Sequence, residues 1–573
     1  METSTRRIAM LCLLAAVLGL AGGGAAWVLL RLIALLTNLA LLHRVGWTLP
    51  SFAHFHPGPL IVPVAAAGGL IVALLAKWSP VIKGHGIPEA MEAVLARQSR
   101  ISPRAAVAKP LSAAIAIGTG GPFGAEGPII VTGGALGSLV GQILPVSPAE
   151  RKILLASGAA AGMAATFGTP LAAVVLAIEL LLFEFSTRAF VPLVVSSAIA
   201  AGVHSALFGS GPLFAVPPHD YAGLVKLPFF AILGLLCGLL AAVVTKGLFA
   251  IEAGYRRLPI SEFWHPLIGG VAFGIVGMFA PRVLGVGYDA IGDVLAGRLA
   301  LGALAALAVA KLIAWWLALA SGTSGGTLAP LLLIGGSFGG MLGALAARTL
   351  PGLHLTPGAV ALVAMSAVFG AATRATFASI VFLFELTGDY RVILPLMVAT
   401  VLATVVAAAL SRESIMTEKL VRRGLRVHTR YEVDVLQTTV VRDVMTREVQ
   451  TLSPDATVAE GRRRLADGGH GAYPIVDAHG RVAGIVSRGD LLRLADSDRV
   501  PLREVASRDV VTVGPDDPLV VALQRMLDDE IEHLPVVEDG RLVGICTRTD
   551  ILRARQRRLD LERLQRGWGT GVL

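Results

Sequence analysis

Between Gly118 and Gly137 the chain reads GTGGPFGAEGPIIVTGGALG, a glycine-rich interruption that holds one carboxylate, Glu126, inside more than four hundred residues of mostly apolar sequence. An unwound stretch at membrane depth survives only where it lines a cavity or is packed in protein, and an acid there is costly unless it has work to do. From Pro128 to Val140 the pattern resumes as a helix, so free backbone N–H groups and the positive end of a helix dipole face the break. Such a place attracts anions, and Glu126 is their natural competitor for it. The bland reading, a buried acid tied to neighbouring amides for stability alone, stands beside this one.

The pattern returns as GTSGGTLAPLLLIGGSFGG from Gly322 to Gly340, where Pro330, Gly335, Gly336 and Gly339 match Pro128, Gly133, Gly134 and Gly137. A second match pairs the apolar run ending at Glu179 with the run ending at Glu385. The two halves are internal repeats. Broken helices in matching positions of two membrane halves point to a transporter-type site near the bilayer midplane.

Of the 573 residues 54% are hydrophobic and 16% charged, which places the chain among membrane proteins before any motif is read. Apolar segments run from Ile8 to Leu41, Leu60 to Ala76, Leu227 to Ala250, Leu267 to Phe279, Leu299 to Ala320 and Val392 to Leu410, several reaching the ~20 residues of a spanning helix. Pro170–Phe183 and Thr376–Leu386 are shorter and read as partial or tilted helices. The first run follows Arg6 and Arg7 but is too long for a signal core and is read as retained. Basic residues at both ends place both termini in the cytoplasm. The net charge of +9 is spread over loops and tail without aromatic interleaving, so nucleic acid is not an expected partner. Cys12, Cys237 and Cys546 lie far apart, so neither a metal site nor a disulfide framework is expected.

Charged residues become frequent after Ser411, and short apolar strands then alternate with amphipathic helices. AYPIVDAHGRVAGIVSRGDLL, Ala472 to Leu492, is echoed by HLPVVEDGRLVGICTRTDIL, His533 to Leu552. Each copy predicts a strand, an Asp/Gly turn, a second strand and a helix start capped by a hydroxyl residue. These segments resemble a tandem pair of cystathionine-beta-synthase (CBS) domains, with the ribose signature as Ser487-Arg-Gly-Asp490 and Thr547-Arg-Thr-Asp550. The resemblance implies that Ser487, Asp490, Thr547 and Asp550 contact an adenine nucleotide (ATP, ADP or AMP). The other reading of the same four residues is a helix capping arrangement within a scaffold or dimerisation module.

The membrane part resembles the CLC family of chloride channels and chloride/proton exchangers. Gly84-His85-Gly86-Ile87-Pro88 is similar to the family's GSGIP element, Gly124-Ala125-Glu126-Gly127-Pro128 to GxEGP, and Gly325-Gly326-Thr327-Leu328-Ala329-Pro330 to GGIFAP. Glu413-Ser414-Ile415-Met416-Thr417 stands where the family places a pore-lining tyrosine. A dinucleotide-binding reading of the glycines fails because the flanks are apolar helices rather than a strand and a βαβ unit. The resemblance implies an all-α polytopic membrane fold with inverted repeats and broken helices, followed by an α/β CBS-pair domain. It also implies a homodimer in the lipid bilayer, read here as a bacterial inner membrane, with one anion pathway per subunit and the CBS pair cytoplasmic. The expected domains are 1–424 for anion transport, 425–440 as linker, 441–555 for the CBS pair (441–497 and 503–555) and 556–573 as a basic tail.

By this resemblance Glu126 is the gate, and His85, Gly86, Ile87, Gly124, Ala125, Gly127, Thr327, Leu328 and Met416 form the anion site. Backbone amides at Gly86–Ile87, Gly124–Gly127 and Thr327–Leu328 replace the hydration shell of a chloride-sized ion. The family's inner serine is His85 here and its tyrosine is Met416, so both hydroxyls are gone. His85 either faces the ion or points away and packs, or hydrogen-bonds to a carbonyl. Exchangers of the family carry a proton-transfer glutamate after the acid equivalent to Glu179, where this chain has Leu180; Glu179 reads as structural and Glu184 as a substitute relay. Passive chloride conduction gated by Glu126, with nucleotide regulation through the CBS pair, is the expected function. The alternatives are chloride/proton exchange by another route, or carriage of bromide, fluoride, nitrate or bicarbonate. An enzyme is not expected, since Glu126 and His85 alone form no catalytic set, and neither cofactor nor metal is required.

Overall fold

In a computed structural model of the chain the described residues are 2–217, 221, 225–425, 436, 439–468, 471–493, 498–507 and 509–556. The expected linker 425–440 and tail 556–573 fall largely outside them. The chain forms two compact units, Met1–Arg430 and Tyr431–Leu573.

The first unit is helical throughout, with α1 (Glu2–Leu42), α2 (Ile61–Trp78), α3 (Ile87–Ala96), α4 (Pro103–Gly118), α5 (Glu126–Ile143), α6 (Pro148–Phe167), α7 (Pro170–Ala177) and α8 (Thr187–Phe208). A second set follows as α9 (Leu227–Arg256), α10 (His265–Phe279), α11 (Tyr288–Leu295), α12 (Leu301–Ala320), α13 (Leu328–Thr349), α14 (Pro357–Thr373), α15 (Thr376–Thr387) and α16 (Ile393–Leu410), then a short α17 (Glu418–Arg422). Among the described residues eight helices are long and apolar enough to cross a membrane. Thr187–Phe208, which the sequence reading passed over, is one of them; Ser196, Ser197 and His204 dilute its apolar run. The helix expected from Pro128 begins two residues earlier, at Glu126 itself.

Local chemistry sets these ends. At the start of α6 Ser147 Oγ accepts the Glu150 N–H (3.2 Å) and the Glu150 carboxylate accepts the Ser147 N–H (2.9 Å), a capping box ahead of Pro148. The same carboxylate, almost fully buried, receives Arg7 of α1 (2.8 Å) and Arg188 of α8 (2.9 Å), tying three helices together. The helix stops at Gly168, whose φ of 70° is left-handed.

The core is laid down by glycine stripes. Gly133, Gly137 and Gly141 of α5 meet Gly158, Leu154 and Arg151 of α6, and a Cβ on any of them would collide with those neighbours. Gly335, Gly339 and Gly343 of α13 meet Ala364, Val360 and Pro357 of α14 in the same way. Glycine at every fourth position lets two backbones close together without a side chain between them, the packing that substitutes for hydrophobic drive in lipid. Nearly every residue of α6 and α14 is buried in consequence.

The repeat is inverted, and hydrogen bonds run reciprocally across its axis. Glu179, in a wider π turn (Ile178–Leu182) at the end of α7, accepts the N–H groups of Phe377 (3.1 Å) and Ala378 (2.9 Å) at the start of α15. Glu385 at the end of α15 accepts those of Leu171 (3.0 Å) and Ala172 (2.7 Å) at the start of α7. Each acid therefore caps the other repeat's helix rather than closing its own. Leu180 is buried beside Glu179, and Glu184 pairs with Lys152 at 2.8 Å.

The second unit holds two similar halves. Ala472–Val476 pairs antiparallel with Val482–Ser487, and His533–Glu538 with Arg541–Thr547. The register slips at Ile475/Val476 in one hairpin and at Val536/Val537 in the other, matching bulges in matching places. Each hairpin gains a parallel bridge from the preceding segment, Leu452 to Ile475 and Val513 to Val536. Burial pushes the Cys546 thiol up to about 12, leaving it protonated inside its half.

Glu179→Ala and Glu385→Ala each strip two helix-end N–H groups of their acceptor, at a cost of about 1–2 kcal/mol. Thermal unfolding in detergent is expected to show both midpoints falling by similar amounts. A fall for one variant and none for the other would break the equivalence of the halves.

Candidate functional site

Two broken helices meet head to head. The segment before α5 and the segment before α13 are joined by a pair of hydrogen bonds, Gly124 N–H to Gly326 O (3.2 Å) and Gly326 N–H to Gly124 O (2.8 Å). Because α5 and α13 start from this shared bridge and run apart, both positive helix ends face the same point. Gly84 bridges Ser324 alongside, bringing in the loop before α3, and a Cβ on Gly127 would overlap the His85 carbonyl oxygen. Gly84 and Gly86 have φ of 88° and 97°, a left-handed path that lets the loop turn tightly into α3. The backbone N–H of Ile415 donates to Ala372 O (3.1 Å), seating the Ile415–Met416 turn against α14.

Glu126 is completely buried at this junction. Its Oε1 accepts the N–H of Ala329 at 2.6 Å, in the first turn of α13, while Oε2 has no partner. The carboxylate folds back over Gly124 and Gly326, where any Cβ would strike it. A negative group thus sits against the positive end of the opposite helix, the place where an anion is stabilised by amides and dipole together.

His85, Ile87, Ala125, Thr327, Leu328 and Met416 are all buried at 3% exposure or less, in the three loops and turn that converge here. One expectation needs correction. The amide of Gly86 donates to the Glu89 carboxylate (2.8 Å) and that of Gly124 to Gly326 O, so neither is available to an ion. The amide that receives Glu126 Oε1 is Ala329, one residue beyond the Thr327–Leu328 pair, and the Leu328 N–H also acts on the carboxylate. Neither ring nitrogen of His85 has a close hydrogen-bond partner, and the ring lies near the backbone of Ile415 and the ammonium groups of Lys109 and Lys419.

Two residues the sequence reading missed hold the loops in shape. Lys109 of α4 donates to the carbonyls of Ile82 and Gly84, both at 2.8 Å. Lys311 of α12 donates to Val283 O (2.8 Å) and Gly285 O (3.2 Å), the equivalent loop of the other repeat. Both ammonium groups are fully buried. By drawing carbonyl oxygens to themselves they fix the course of the two loops. A lone lysine in an apolar helix is the signal that would have found them. Ser112 Oγ also donates to Ser324 Oγ (3.0 Å), bracing α4 against the segment before α13.

A cavity of about 750 Å³ opens at Gly84, lined by Lys83, Glu89, Lys419 and Arg422 among others. Two more, about 420 and 200 Å³, share Tyr288 of α11. The loop before α11 carries Gly285 and Gly287, both at positive φ, as the loop before α3 carries Gly84 and Gly86.

In the second unit Ser487 Oγ donates to Asp490 (2.7 Å) and accepts the Asp490 N–H (3.2 Å), while Asp490 also accepts the Ser487 N–H (2.9 Å). Thr547 and Asp550 repeat this set at the same distances. Both pairs are therefore capping boxes in the protein as it stands. A cleft of about 520 Å³ lies over the first pair, with Asp509, Glu530, Glu532 and His533 in its wall; Thr547 and Asp550 do not line it.

Residues 67–408 match the family profile described as voltage gated chloride channel, and residues 441–497 and 502–557 each match the CBS domain profile. The chain is 28% identical to chloride channel protein CLC-f of Arabidopsis thaliana, over 86% of its own length and 72% of the relative's. It is 33% identical to the H(+)/Cl(-) exchange transporter ClcA of Vibrio campbellii, over 61% of this chain and 76% of the relative. Among solved structures it superposes on a slow cyanobacterial Cl-/H+ antiporter with a TM-score of 0.64 at 26% identity, covering 73% of this chain and 98% of that one. A eukaryotic CLC transporter (TM-score 0.60, 23% identity) covers 94% of this chain and 97% of its own and shares the fold. With its head-to-head broken helices, its glycine stripes and its paired C-terminal repeats, the chain belongs to the CLC family of anion-transporting membrane proteins and carries a CBS domain pair.

Proposed function

We propose that this protein conducts chloride passively across a bacterial inner membrane, with Glu126 as its gate, as a homodimer whose CBS pair is cytoplasmic. The observation that carries the reading is the Glu126 carboxylate resting on the Ala329 N–H at the start of α13. That position stabilises negative charge, so an anion and the carboxylate compete for it. When the side chain is protonated or displaced, the amides and the dipole are released to a chloride that has shed water. The inner end depends on Lys109, His85 and backbone dipoles, since Met416 offers only a weakly accepting thioether.

Leu180 supports conduction over exchange, because a leucine carries no proton and the adjacent Glu179 is engaged at the start of α15. Glu184, as a substitute relay, is half-exposed and paired with Lys152. The second reading is chloride/proton exchange by another route, favoured by the relatives titled exchange transporter and antiporter. Carriage of fluoride, nitrate or bicarbonate is left to anion competition in the same assay.

The test is chloride efflux from proteoliposomes with proton movement recorded at the same time. Conduction predicts chloride efflux without proportionate proton flow, whereas protons driven uphill by a chloride gradient would establish exchange. Glu126→Ala is expected to raise chloride flux about tenfold, the factor set by losing a hydrogen bond to a charged group. It should also weaken the dependence of flux on pH, and unchanged flux and pH dependence would remove the gate.

For the CBS pair we propose an adenine nucleotide in the cleft at Ser487 and Asp490. The acids in its wall outnumber Arg488, its one fixed cation, which favours AMP over ATP because each further phosphate meets more like charge. Calorimetry on the full-length protein is expected to show AMP binding that Asp490→Ala weakens, and no heat with the parent for any of the three nucleotides would end the assignment.

A further inference from the structure

Tyr288 begins α11, at the place in the second repeat that Ile87 occupies in the first. Its ring is packed edge-on by Phe167 (centroids 6.2 Å apart) and Phe214 (6.0 Å). Its hydroxyl is buried and has no hydrogen-bond partner. An unpartnered buried hydroxyl is unfavourable and calls for a reason. Glu126 is within electrostatic range of it, and Glu126 Oε2 is likewise buried without a partner. One is a donor, the other an acceptor, and each is buried without a partner.

The neighbouring ionisable groups are already engaged. Lys311, the other charge on this side of Glu126, is held by Val283 O and Gly285 O, and Asp289 is taken by Ser51 Oγ and the Phe52 N–H, both at 2.8 Å. The cavities of about 420 and 200 Å³ both reach Tyr288, so there is room beside the ring for a side chain to move into.

We infer that the Tyr288 hydroxyl is the second anchorage of the Glu126 side chain, the group that receives the carboxylate when it leaves Ala329 and so holds the gate open. The inference rests on reading Glu126 as a movable gate. In the resting position Oε1 is bound to Ala329; after rotation the phenol O–H donates to the carboxylate, or accepts from it once the carboxyl carries a proton. The displaced acid then keeps a hydrogen bond, and the start of α13 is left to the anion. Tyr288 is thus a positioning residue that sets the balance between the two side-chain positions.

Tyr288→Phe deletes the hydroxyl alone and keeps the ring that Phe167 and Phe214 pack against. Chloride efflux is measured in proteoliposomes for Tyr288→Phe, Glu126→Ala and the double variant, with thermal unfolding as the control on folding. The expected result is a fall of about tenfold in the parent background, from losing a hydrogen bond to a charged group in the open state. The same substitution is expected to change nothing once Glu126 is alanine, with the unfolding midpoint at or above the parent's. Flux unchanged or raised in the parent background overturns the inference. So does an equal fall in the Glu126→Ala background, which would mean that the hydroxyl acts on the ion or on the fold. Glu126→Ala with parental flux would instead sink the gate itself, a separate outcome read in the same experiment.

Discussion

The rest of the structure depends on one junction, the pair of hydrogen bonds between Gly124 and Gly326 that joins two helix starts end to end. Two positive helix ends facing one point repel each other and leave several N–H groups without acceptors. Something negative has to stand there. In this protein it is the carboxylate of Glu126, donated by one repeat to the Ala329 amide of the other. The local stability requirement and the capacity to handle anions are therefore the same electrostatic fact, met by an internal acid or by an ion from outside.

Much of the remaining architecture keeps that junction dry and in register. The glycine stripes of α5 and α13 bring α6 and α14 close behind the site. Lys109 and Lys311 hold the carbonyls of the flanking loops, one in each repeat. Glu179 and Glu385 cap each other's partner helices. Each of these devices occurs twice, as it must when one strategy is built from two inverted copies of a fold. The site is where the copies diverge: Glu126 has no acidic counterpart at Leu328, and His85 is matched by Val286. The asymmetry leaves the junction with a single acid, Glu126, and two chemically different flanking loops.

The glycine breaks, the repeat and the buried acid were legible in the sequence because each is a local departure from an apolar background. Pro128 and Pro330, with the glycines after them, mark the repeats directly. The role of Glu179 was only half legible, since its partners lie 198 and 199 residues away and arise from the way the repeats interlock. Lys109 and Lys311 stand in the sequence as lone charges in apolar helices, but the carbonyls they hold lie 25 to 28 residues away and are set only by the fold. Tyr288 was not readable at all: nothing in Gly285-Val286-Gly287-Tyr288 says that its hydroxyl ends buried without a partner. Likewise Ser487 and Asp490 show the same motif as Thr547 and Asp550, and only the fold reveals that the cleft lies over the first pair.

The central claim is that the Glu126 carboxylate occupies an anion's place at the start of α13. Anomalous diffraction from Glu126→Ala crystals grown in bromide tests it most directly. The account predicts a bromide peak within hydrogen-bonding distance of the Ala329 N–H, where Oε1 now sits. Crystals with that position empty of bromide, and bromide bound elsewhere along the chain, would contradict it.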